Sequence, residues 1–134
     1  MERMVIGRTG LEVYRLGFGG IPLQRVSEDQ AVESVLHAIR LGVDFIDTSR
    51  AYTTSEHRIG LALKQTDRKV ILASKSLSRR YGEVRMDLET SLRELQRDYI
   101  DLYQCHFVRN EDDYQNAIAP GALWKRSTRP RKKD

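Results

Sequence analysis

The chain contains a single cysteine, Cys105, so no disulfide within it can hold the fold together. No spacing of Cys and His residues suggests a metal site. Long hydrophobic runs are also missing, and none approaches the roughly 20 residues that cross a bilayer. The opening "MERMVIGRTG" lacks the apolar core of a secretory signal, so a cytoplasmic protein is expected. An excess of one charge is absent from the body of the chain. The net charge of +4 comes from residues 121–134, "GALWKRSTRPRKKD", which hold six Lys/Arg and one Asp. The remaining residues carry 17 basic and 18 acidic side chains, so neither a nucleic acid nor a membrane surface is expected as partner. A dinucleotide fingerprint is lacking as well. "GFGGIP" places Pro22 where G-x-G-x-x-G needs its last glycine. What is present is ordinary for one modest globular domain: 40% hydrophobic and 31% charged residues over 134 positions.

The order of apolar patterns is more informative. Val5-Ile6 and Leu11-Val13 flank "GRTG", which predicts a short hairpin. "RLGFGG" follows as a short strand running into glycines. Ser27 can cap a helix with Gln30 as its reciprocal partner, and Val32, Val35, Leu36 and Ile39 share one face of it. Gly42 stands where that helix would stop. "VDFID" reads as a strand and "SEHRIGLALKQ" as a helix packing through Ile59, Leu61 and Leu63. "KVILASK" has the continuous apolar run of a strand buried on both faces. "GEVRMDLETSLRELQ" is a helix with Val84, Leu88, Leu92 and Leu95 on one stripe. "DYIDLYQCH" is a further strand, and "NEDDYQNAIA" starts another helix that Pro120-Gly121 breaks. Strand–helix alternation with short connections implies an α/β fold with parallel strands, here about four of them after the hairpin.

Each strand ends in something chemically useful. The first ends at Gly19-Gly20-Ile21-Pro22, the second at Asp47 with Tyr52 in the next loop, the third at Lys75 and the fourth at His106. Ligands of parallel α/β folds sit at the carboxyl ends of strands. Any one of these residues alone is more simply a solvated or packed side chain. Four titratable types at consecutive strand ends are harder to dismiss. Together they suit proton donation to a carbonyl oxygen, because an ammonium beside a tyrosine favours its phenolate and makes it a better acid. An aspartate would keep that lysine charged, and a histidine could orient the carbonyl. His37 and His57 lie on helices and read as solvated or packing residues. Cys105 neighbours His106 but points to the opposite face of a strand, which argues against a Cys-His nucleophile. Trp124 among basic residues could suggest base stacking, though a tail without such a role is the simpler reading.

"GRTGLEVYRLGFGG", "DTSRAY", "ASK" and "DYIDLYQCH" resemble the N-terminal half of aldo-keto reductases. The resemblance covers roughly residues 2–122, and "GGIPLQRVSEDQAV" is most similar to a bacterial branch whose longer members add an iron–sulfur tail. The cysteines of that tail are not in this chain. The resemblance implies the N-terminal half of a (β/α)₈ TIM barrel, with a hairpin at its base and the barrel not closed. It implies Tyr52 as acid, Lys75 and Asp47 tuning it, and His106 orienting the substrate. It also implies NADPH as hydride donor, with Gly20, Ile21 and Asp47 on its nicotinamide side and an aldehyde or ketone as substrate. A full barrel of this kind needs about 250 residues, and the family's adenosine-side contacts would lie beyond residue 134. Weak or absent activity is therefore expected, with possible oligomerisation through the open barrel edge. A non-catalytic half-barrel that assembles with another copy or chain is the alternative.

The last residues suggest a different history. Up to Leu123 the text keeps to the family, whose next stretch often reads Ala-Pro-Gly-Gly-Ala-Leu-Glu. A single-base deletion in the glycine codons would convert Gly-Gly-Ala-Leu-Glu into the Gly-Ala-Leu-Trp found here. Residues 1–121 are thus expected to form the partial barrel, and 122–134 a frameshifted, basic and disordered tail.

Overall fold

The computed structural model describes residues 2–122. It opens with an antiparallel hairpin, β1 (Arg3–Val5) against β2 (Glu12–Tyr14). The connecting turn needs left-handed backbone at Gly7 and Gly10, which is why "GRTG" is bounded by glycine. Then come β3 (Phe18–Gly19), a 3₁₀ turn (Ile21–Arg25) and α1 (Glu28–Arg40). Three further units follow: β4 (Phe45–Asp47) with α2 (Ser55–Leu63), β5 (Ile71–Ser76) with α3 (Tyr81–Leu95), and β6 (Leu102–Cys105) with α4 (Glu111–Ile118). The four strands form one sheet in the order β3-β4-β5-β6, every neighbouring pair parallel. This is a strip of an α/β barrel that does not close.

Local chemistry accounts for the element ends. Ser27 Oγ accepts from the Gln30 N–H while Gln30 Oε1 accepts from the Ser27 N–H, a complete capping box for α1. Gly42 takes a φ of 96° just after that helix. Asn110 caps α4 by accepting from the Asp113 N–H at 2.8 Å.

The core lies between the sheet's outer face and helices α1–α3. Ile46 and Leu72 from the strands meet Val35, Ile39, Ile59, Leu63 and Leu95 from the helices. Packing through α2 differs in one respect from the sequence expectation: Ala62 is fully buried, whereas Leu61 is only half-buried. Its partner α3 comes too close at Gly60 for a wide apolar face. The α3 stripe is likewise uneven, with Val84 and Leu95 buried, Leu88 and Leu92 half-buried, and Ser91 fully buried among them.

Asp44 fixes the hairpin to the opposite end of the sheet from Asp47. Its carboxylate accepts from the Tyr14 N–H at 2.9 Å and from Arg3 at 3.0 Å. The hairpin therefore sits at the strands' amino ends and leaves the carboxyl rim open. The C-terminal boundary needs a correction. Ala122, expected to begin a disordered tail, is buried and bridges to Arg80, and Gly121 accepts from the Tyr81 N–H at 3.0 Å. Backbone pairing to the start of α3 holds it. The rest of the expected tail, residues 123–134, lies outside the described residues.

Candidate active site

Parallel register brings three of the four candidate side chains to one face. Asp47 pairs with Ala73, so Lys75 stands two residues further along β5 on that same side. Lys75 pairs with Gln104, so His106 again lies two residues beyond on that side. Each strand thus reaches one step further past the rim than the last. Tyr52 comes from the β4–α2 loop. Its N–H reaches the Ser49 carbonyl at 3.0 Å, and its carbonyl accepts from the Ser55 N–H at 2.7 Å.

All four converge. Lys75 Nζ donates to Asp47 Oδ1 at 2.5 Å and to the Thr48 carbonyl at 2.8 Å. The same ammonium lies 5.4 Å from the centre of the Tyr52 ring. The Tyr52 and His106 rings meet edge-on with centroids 5.5 Å apart. Phe107 stacks on the other side of His106, at 4.5 Å. Burial holds the His106 pKa below the ordinary histidine value. Lys75 pushes it further down, Asp47 pulls the other way, and Arg79 adds a smaller downward push. A phenol beside a cation, with a neutral imidazole at its edge, is an arrangement able to hydrogen-bond and protonate one oxygen atom.

Gly20 and Ile21 sit at the neighbouring strand end in different states. Gly20 is buried, gives its N–H to the Asp47 carbonyl at 2.7 Å and accepts from Ser55 Oγ at 2.9 Å. A Cβ there would lie 2.6 Å from that hydroxyl, so only glycine fits. Ile21 is exposed on the rim.

The structure adds residues that the sequence reading did not single out. Glu56 is a fully buried carboxylate. It pairs with Arg50 and accepts from Ser74 Oγ at 2.6 Å, tying the Tyr52 loop down to β5. Ser49 is buried with Oγ 2.8 Å from His106 Nδ1. Arg79 donates to the carbonyls of His106 at 2.5 Å and Leu77 at 2.9 Å, linking the loops after β5 and β6. No local signal marked them, since "DTSRAYTTSE" has the composition of an ordinary polar loop. Cys105 is a half-buried free thiol at the end of β6. It lines a groove against α4 with Tyr114, Ala117 and Ile118. His57 is held at the surface between Glu28 and Glu94, at 3.7 and 3.2 Å. Tyr103, half-buried elsewhere on β6, has its pKa pushed up to about 12 by burial, so not every phenol here suits acid chemistry.

Residues 15–123 match the family model described as the aldo/keto reductase family. The chain belongs to the aldo/keto reductase family. Among its relatives is L-galactose dehydrogenase of Arabidopsis thaliana, 40% identical over 123 residues, an overlap of 81% of this chain and 39% of that protein. Aldo-keto reductase YhdN of Bacillus subtilis is 36% identical, over 80% of this chain and 38% of its own. Among solved structures, a putative aldo-keto reductase from Pseudomonas aeruginosa superposes with a TM-score of 0.79. It shares 27% identity over 93% of this chain and 53% of that one. An aldo-keto reductase from Bacillus halodurans, solved in its holo form, gives 0.70 at 32% identity, over 78% of this chain and 40% of that one. This aldo/keto reductase chain thus spans roughly two fifths of the length of the curated relatives it matches.

Proposed function

We propose that this chain carries the acid–base half of an NADPH-dependent reductase acting on a small aldehyde or ketone in the cytoplasm. The observation that carries the reading is the position of Lys75 Nζ. It is held between Asp47 and the Thr48 carbonyl and lies 5.4 Å from the Tyr52 ring centre. Tyr52 protonates the carbonyl oxygen. Lys75 favours the phenolate left behind, Asp47 keeps Lys75 charged and in place, and His106 orients the oxygen. The nicotinamide cofactor supplies the hydride, which no side chain can.

The residues present fit the nicotinamide end of that cofactor. Ile21 offers an exposed apolar surface next to Gly20, whose N–H bonds the Asp47 carbonyl. They fit its phosphates less well. Lys75 is paired with Asp47, Arg50 with Glu56, and Arg79 with backbone carbonyls.

The test joins residues 1–121 to the C-terminal part of YhdN and follows NADPH-dependent aldehyde reduction. Turnover that falls by about 10²-fold or more in Tyr52→Phe supports the reading. Equal turnover in both would end it. A second reading, a non-catalytic half-barrel assembling with another copy, is favoured by the unpaired outer edges of β3 and β6 among the described residues.

A further inference from the structure

Ser49 Oγ sits where it can decide which nitrogen of His106 carries the proton. A hydroxyl has one proton to give. Two acceptors are within reach, His106 Nδ1 at 2.8 Å and the Lys75 carbonyl at 3.2 Å. The Lys75 carbonyl already accepts from the Arg50 N–H at 3.0 Å and loses little without Ser49. Ala51 N–H donates to Oγ at 3.1 Å, which occupies one of its lone pairs and fixes the hydroxyl in the loop. The shorter contact directs the hydroxyl proton to Nδ1, and the Lys75 carbonyl keeps its bond from the Arg50 N–H. A neutral imidazole whose Nδ1 accepts must carry its own proton on Nε2.

We propose that Ser49 is a positioning residue that fixes His106 as its Nε2–H tautomer, so that the ring presents a hydrogen-bond donor to an acceptor oxygen. Among the described residues, none hydrogen-bonds Nε2. Of the other charged and titratable groups around the ring, Lys75 and Arg79 disfavour a second proton, Asp47 favours one, and Tyr52 meets the ring edge-on; the shift as a whole is towards the neutral imidazole. Without the hydroxyl, Nδ1 could take the proton itself, and a bare Nε2 would oppose a carbonyl lone pair instead of binding it. The use made of that donor rests on the reductase reading, whereas the tautomer does not.

The experiment labels the histidine nitrogens of the whole 134-residue chain with ¹⁵N and records long-range ¹H–¹⁵N spectra above neutral pH. Only three histidines are present, and His106→Gln identifies the signal. Magic-angle spinning on sedimented protein reads the same nitrogens whatever the size of the assembly. The expected pattern is a bare Nδ1 and a protonated Nε2. Ser49→Ala should shift it towards a mixture of tautomers, and Ser49→Thr, which keeps the hydroxyl, should restore it. A proton on Nδ1 in the unsubstituted chain overturns the proposal whether or not any variant folds, and so does an unchanged pattern in a folded Ser49→Ala. Loss of turnover in the YhdN hybrid alongside the expected tautomer would count against the reductase reading alone.

Discussion

Thr53, immediately after Tyr52, has a φ of 35°. A β-branched residue in left-handed backbone is strained, at a cost of order 1–3 kcal/mol. Its hydroxyl bond to Gln24 is exposed and returns little. Glycine would remove the strain while adding about 1 kcal/mol of unfolded-state entropy to lose. Thr53→Gly should therefore stabilise the chain by about 1 kcal/mol, read as a higher urea midpoint at unchanged slope. A lower midpoint would show that the loop is not strained. His106 makes the second residue-scale prediction. Its folded pKa lies below the unfolded value of about 6.5, so the folded state binds fewer protons. The stabilisation is full above about pH 6.5 and is lost as pH falls through the folded pKa. Urea midpoints should drop between about pH 7.5 and about pH 5, and His106→Gln should shrink that drop. An equal drop in the variant would place the linkage elsewhere.

Between elements, the decisive contact is Gly60. A Cβ on it would lie 2.2 Å from the Glu94 carbonyl oxygen and 3.0 Å from the Leu95 carbonyl carbon, both backbone atoms that cannot swing aside. Gly60→Ala should force α2 and α3 apart and destabilise by about 1–3 kcal/mol or more. Gly82→Ala is the matched control. It lies in α3 with nothing within 4 Å of an added Cβ, and should gain up to about 1 kcal/mol from helix propensity. Comparable thermal midpoints for the two would refute the close-packing argument. Gly60 also marks where sequence reading stops. The capping box at Ser27 and Gln30 was legible because it is local, spanning three residues. Asp47, Lys75 and His106 were legible because each ends or just follows a strand, and parallel register does the rest. The Arg50–Glu56–Ser74 anchor was not, since its members gain meaning only when β4 and β5 lie side by side. Leu61 was expected inside for its chemistry and is half-buried, because α3 approaches α2 at its neighbour Gly60. Ala122 was expected to begin a disordered tail because a single-base deletion in the glycine codons accounts for the text from there. It is held in place by Arg80, 42 positions earlier, a pairing no local pattern announces.

At the scale of the molecule, the described residues cover the sheet on one face only. Its inner face, with the hairpin, bounds an open concavity of about 520 Å³ lined by Met4, Val13, Phe45, Asp47, Leu102 and Gln104. Beyond β6, an apolar groove of about 370 Å³ runs between the strand edge and α4. Leu16 is exposed next to β3, and Val108 and Tyr114 are exposed beside β6. Parallel sheets are ordinarily covered on both faces, and an unpaired strand edge invites another strand. A second copy suits both edges at once. Its β3 can lie along β6, and its own β6 along the first β3, all parallel. Two four-stranded sheets joined this way supply the eight strands at which a barrel of this type closes. We therefore predict that the chain self-associates. Sedimentation velocity should show a dimer, or larger species, at micromolar concentration. Tyr114→Lys, which places a charge in the groove at a half-exposed position, should shift the distribution towards monomer without unfolding the chain. If the unsubstituted chain sediments as a stable monomer with a sharp thermal transition, the open edges are tolerated and pairing with a second copy is wrong.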